Sequence, residues 1–73
     1  MKKNIRNILK DYKNILQMHG FYVDEDYKII SFDLIFSFDE ETPEKCVNEI
    51  TNKLNKEYPT YKINIILDAD ISD

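Results

Sequence analysis

Ile30-Ser31-Phe32-Asp33-Leu34-Ile35-Phe36-Ser37-Phe38 decides the fold. Ile30, Phe32, Leu34, Phe36 and Phe38 recur at every second position, the period of a β-strand that buries one face. On the N-terminal side, His19 to Val23 reads as another strand, after a change of period at Met18 and next to Gly20, the chain's single glycine. The polar run Asp24-Glu25-Asp26, followed by Tyr27 and Lys28, joins the two. A connection this short predicts an antiparallel hairpin, although no Asn-Gly or Asp-Gly pair sets its turn type.

Further toward the N-terminus, Ile5, Ile8, Leu9, Tyr12, Ile15 and Leu16 lie at helical spacing, with Lys, Arg and Asn opposite. They predict an amphipathic helix over 2–17. On the C-terminal side, Thr42-Pro43-Glu44 is a helix start. Thr42 is suited to cap free amides, and proline is tolerated at the first helical position, where its missing N–H goes unused. The helix runs to about Tyr58, with Val47, Ile50, Leu54 and Tyr58 inward and Cys46 beside them. Pro59 ends it, and Tyr61 to Leu67 reads as a third strand with Ile63, Ile65 and Leu67 on one face.

The order is therefore α-β-β-α-β, an α+β domain with a three-stranded sheet and two helices. Residues 1–17 form a leading helix and 18–73 the rest of a single domain. A strand-helix-strand crossover makes the third strand parallel to the second. Topology then predicts that His19, Asp39 to Glu41, and Asp68 gather at one end of the sheet.

The 73 residues carry a formal net charge of −4 and one cysteine. A chain this short buries only about 60% of its unfolded surface, so it needs support from a metal or a partner subunit. Cys46 alone makes no intrachain disulfide and suits a reducing compartment. No stretch approaches the roughly 20 apolar residues that cross a bilayer, and no signal peptide is read at the N-terminus. The acidic balance argues against nucleic acid, whose binding is driven by Lys and Arg displacing counterions. The cationic helix face of Lys2, Lys3, Arg6, Lys10 and Lys13 is a solvated face or, near a membrane, a contact for anionic headgroups.

Few residues point to chemistry. His19 is the only histidine. It is a candidate metal ligand with Asp68, since imidazole and carboxylate together suit Zn²⁺; the alternative is a structural histidine at a helix–strand junction. Asp33, Asp39, Glu40 and Asp70 are further oxygen donors. The acidic tail from Asp68 to Asp73 lacks the central glycine and distal glutamate of a calcium loop. Cys46 has no general base beside it and reads as a packing residue. There is no phosphate-cradling glycine loop and no Cys-x-x-Cys, so no enzyme and no small-molecule substrate are expected.

Four segments carry a family likeness: Met18-His19-Gly20-Phe21-Tyr22-Val23-Asp24, Ile30-Ser31-Phe32-Asp33-Leu34, Tyr58-Pro59, and Leu67-Asp68-Ala69-Asp70-Ile71-Ser72-Asp73. Together they resemble the C-terminal cytosolic domain of cation diffusion facilitator (cation efflux) transporters. The resemblance implies a ferredoxin-like, metallochaperone-like domain that forms a homodimer. It would be attached to a membrane-spanning transport domain at the cytoplasmic inner face of the cell membrane, and would not transport by itself. It implies a regulatory divalent metal near the dimer interface, zinc first, with manganese, cadmium, iron or cobalt as alternatives. His19 and Asp68 match family ligand positions, with Asp33 and Asp70 as weaker candidates. Many relatives carry a histidine two places before the aspartate, where this chain has Ile66. The alternatives are a dimerisation module that needs no metal and a stand-alone soluble metal-binding module.

Overall fold

The computed structural model describes residues 1–69. It contains α1 (Lys2–Leu9), β1 (Ile15–Asp24), β2 (Ile29–Phe36), α2 (Pro43–Glu57) and β3 (Lys62–Ala69). The three strands form one mixed sheet in the order β1-β2-β3, with β1 antiparallel and β3 parallel to β2. The α-β-β-α-β order and both strand pairings are those expected from the sequence.

The central strand sets the packing. Ile30, Phe32, Leu34 and Phe36 are all buried on one face of β2, where they meet Ile5 and Leu9 of α1 and Ile50 and Leu54 of α2 in a single core. Both helices thus cover the same side of the sheet and leave the other side open. Helix α1 is part of this core, since its Ile5 is as fully buried as Phe32. Half-buried Ile63 and Ile65 of β3 complete the inner layer.

The N-terminal helix is shorter than its apolar spacing predicts, ending at Leu9 instead of residue 17. Beyond it the chain tightens into i→i−3 turns, Asp11 N–H to Ile8 O (3.3 Å), Tyr12 N–H to Leu9 O (3.0 Å) and Ile15 N–H to Tyr12 O (3.1 Å). Strand β1 then starts at Ile15, four residues before His19. The physical reason for the difference is visible in the β1–β2 register. Irregularities fall between Ile15 and Gln17 and between His19 and Tyr22, and each inserts one extra β1 residue against β2. The core-facing residues of β1 are therefore Ile15, Met18, Phe21 and Val23, spaced three, three and two apart. Bulges give a strand the spacing of a helix, and the run from Ile5 to Leu16 looks continuous although it belongs to two elements.

Gly20 lies in the second bulge with φ +60°, the left-handed region that costs other residues a Cβ clash. This bulge turns Phe21 inward, where its ring stacks on Phe32 at a centroid distance of 6.2 Å. At the far end of the hairpin, Asp24 Oδ1 accepts the amides of Asp26 and Tyr27, both at 3.0 Å, and Lys28 adopts φ 55°. An aspartate side chain thus makes the turn that no glycine pair specified.

Two further expectations change. Strand β2 ends at Phe36, and Phe38 is 87% exposed instead of joining the inward face. Thr42 occupies the N-cap of α2, but its side chain makes no bond to the helix amides; its hydroxyl donates to Glu40 Oε2 at 3.4 Å.

A Cβ built on Gly20 would meet Asp33 Oδ2 at an ordinary 3.8 Å, so only backbone conformation opposes a side chain there. Gly20→Ala is expected to destabilise the fold by about 1–2 kcal/mol, with Gly20→Asn costing less because asparagine tolerates the left-handed region. Urea unfolding of the three proteins measures this, and an unchanged midpoint for Gly20→Ala would rule out the left-handed bulge.

Candidate functional site

The open sheet face is built by alternation. Because Ile30, Phe32, Leu34 and Phe36 point to the helices, Ser31, Asp33 and Ile35 point away. The register places Gln17, His19 and Tyr22 of β1 beside Ile35, Asp33 and Ser31. From β3 it places Asn64, Ile66 and Asp68 beside the same three residues in reverse order, Ser31, Asp33 and Ile35. Asn64 Nδ2 donates to Ser31 Oγ at 3.3 Å across this face.

One transverse row carries the residues of most interest. His19 pairs with Asp33, and Asp33 pairs with Ile66. Opposed residues of an antiparallel pair have Cα atoms about 4.5–5.5 Å apart, so the imidazole and this carboxylate are direct neighbours. His19 Nε2 is hydrogen-bonded with Gln17 Oε1 at 2.6 Å, which leaves Nδ1 as its other nitrogen.

Asp68 is not in that row. It is paired with Ile35 on the opposite edge strand, which puts its Cα about 12 Å from that of His19, two strand spacings across and two residues along. Zinc–ligand bonds are about 2 Å long, so the register makes Asp33, and not Asp68, the carboxylate directly beside His19. The expected gathering of His19 with Asp39 to Glu41 and Asp68 is corrected in the same way. Because β1 begins at Ile15, the residue that reaches that end of the sheet is Asn14, while His19 sits mid-strand. Asp68 does share that end with the loop after β2, lining a pocket with Phe38 and Glu40. Asp70 lies outside the described residues. Among the described residues no group of three His, Cys, Asp or Glu side chains is placed to hold an ion. One chain's contribution at the row is therefore two donors, His19 and Asp33, with Ile66 at the third position, and a closed tetrahedral set needs further donors.

A polar node that the sequence did not single out lies at Glu40. Its Oε1 accepts from Asn14 Nδ2 at 3.1 Å and its Oε2 accepts from the Thr42 amide at 3.1 Å. These bonds tie the entrance of β1 to the loop that leads into α2. The Thr42 amide, then Asn14, hold the Glu40 carboxyl below its ordinary value of 4.5. Half-buried Cys46 lies close enough to feel the charge of the same carboxylate. Burial first, and then the Glu40 charge, push its thiol up, so it is protonated at neutral pH and weakly nucleophilic. Asn14 and Glu40 are 26 residues apart, and no local pattern links them.

The chain matches no protein-family model, no curated protein and no solved structure. The likeness to cation diffusion facilitators rests on the four segments quoted above. No described helix is long and apolar enough to cross a membrane.

A carboxylate whose folded pKa is depressed adds stability that is complete above its unfolded value and is lost as pH falls through the folded value. Glu40→Gln is therefore expected to lower the melting temperature most at neutral pH, with the gap to wild type closing below about pH 4.5 as Glu40 protonates. Thermal melts between pH 7 and pH 3 measure this. A gap independent of pH would mean that the carboxylate charge is not what holds the node.

Proposed function

We propose that this chain is a dimerisation and regulatory domain of a divalent-cation efflux transporter, with no transport activity of its own. The observation that carries the reading is the uncovered sheet face. Both helices lie on one side, and the other side exposes Tyr22 (58%) and Ile66 (48%) and carries half-buried Ile35. A domain with so small a core gains from covering that face with a second copy, because buried apolar surface stabilises in proportion to its area. The α-β-β-α-β order is also the one that the family likeness implies.

Within this reading His19 and Asp33 are the metal-facing residues, and the second copy completes the donor set. The metal would act as a regulator only by binding one dimer arrangement more tightly than another. A second reading keeps the dimer without metal. It is favoured by Ile66, an apolar side chain at the third position of the row, where a donor would be needed.

Sedimentation equilibrium separates the two. Wild type, His19→Ala, Asp33→Ala and Asp68→Ala are run with chelator and then with zinc, manganese or cadmium. The metal reading expects zinc to tighten the dimer about tenfold or more, a change of about 1.4 kcal/mol. That gain is lost in His19→Ala and Asp33→Ala and kept in Asp68→Ala. A dimer indifferent to every ion leaves the structural module. A monomer at high micromolar concentration under all conditions defeats both.

A further inference from the structure

The charge of this protein is unevenly placed. Residues 1–13 contain five Lys or Arg and one Asp, a balance of +4, whereas residues 14–73 contain five Lys or Arg and thirteen Asp or Glu, a balance of −8; the two sum to the chain's −4. The basic part is folded around a concavity. Arg6 from α1, Lys10 at its C-cap, Lys13 from the following turns, and Gln17 and His19 from β1 line a groove of about 560 Å³ along the β1 edge. Its floor is apolar, formed by side chains that include Leu9, Ile15 and Met18. A second concavity of about 310 Å³, lined by Lys2, Lys3 and Arg6, adjoins it through the shared Arg6.

None of these cations is in an ion pair among the described residues. Among the described residues the one ion pair is Lys28 with Glu25, at the opposite end of the hairpin. Lys2 lies over the Phe21 ring at 5.8 Å, a contact that leaves its charge in place. Like charges held close on one short helix and the turns after it repel one another, and an anion between them relieves that repulsion. Arginine and lysine in this arrangement favour phosphate, which accepts several charge-assisted hydrogen bonds at once.

We propose that the groove between α1 and β1 binds phosphate groups, and that the occupant is the headgroup of an anionic phospholipid at a bilayer surface. Two features select a lipid surface over a long soluble polyanion. Leu16 stands 52% exposed among the groove residues, which suits the boundary between headgroups and acyl chains. The remainder of the chain carries a net negative charge that would repel a nucleic-acid strand extending past the groove, whereas a flat membrane meets only this side. The proposal stands on charge and cavity, independently of dimerisation and of His19 as a metal ligand.

Vesicle co-sedimentation tests it, using phosphatidylcholine vesicles with and without phosphatidylglycerol. The expected result is binding to the anionic vesicles alone, weakening as salt is raised. Each basic residue near an anionic surface contributes enough that Arg6→Gln/Lys10→Gln should lower the partition coefficient about thirtyfold. The control Lys45→Gln/Lys56→Gln removes the same charge from exposed positions on α2 and should change it little. All four positions are exposed, and circular dichroism verifies that each variant is folded. Equal binding to neutral vesicles, or equal loss in the control, would overturn the proposal. So would preferential capture of inorganic pyrophosphate or of a single-stranded RNA oligonucleotide with no vesicle binding, since either assigns the groove to a soluble anion.

Discussion

Strand β2 is the constraint on which the rest of the molecule depends. Among the described residues it is the only strand with neighbours on both sides, and its inner face supplies Ile30, Phe32, Leu34 and Phe36, half of the eight that are buried. Every other element is placed by reference to it. The helices cover those four side chains, β1 and β3 satisfy its backbone groups, and the alternation that buries one face pushes Ser31, Asp33 and Ile35 to the other. A strand buried on one side only is also what leaves an uncovered sheet face, so core and candidate interface are two consequences of the same period of two.

The second organising feature is how β1 is fitted to that strand. An unbroken period of two from Met18 would have turned Gly20 and Tyr22 inward and Phe21 and Val23 outward. The bulge at Gly20 exchanges them, bringing Phe21 onto Phe32 and leaving Tyr22 exposed on the open face beside Ser31. His19, immediately before the bulge, keeps its outward orientation opposite Asp33. Local backbone geometry at one glycine therefore decides both a core contact and the row in which the histidine stands.

That row reshapes the chemical reading. Adjacency in the sheet favours Asp33 over Asp68 as the companion of His19, because Asp33 is directly opposite it on the neighbouring strand whereas Asp68 stands two strands across and two residues along. The carboxylates that do converge with other groups are structural. Glu40 joins the start of β1 to the loop before α2 through Asn14 and Thr42. The basic residues of α1 were visible as a helix face, but the fold turns them into the wall of a groove by laying α1 and its following turns along the β1 edge.

The sequence by itself determined the element order, the one-sided burial of β2, the inward stripe of α2 and the parallel pairing of β3. Each follows from a local period or from the short-range geometry of connections. Tertiary structure alone decided where the first helix ends, because two bulges give β1 an apolar spacing of three that a helix shares. It also decided the partner of His19, which depends on strand register, and the Asn14–Glu40 bond across 26 residues. Register and bulges are set by which side chains fit the facing strand, and that fit exists only once the strands have met.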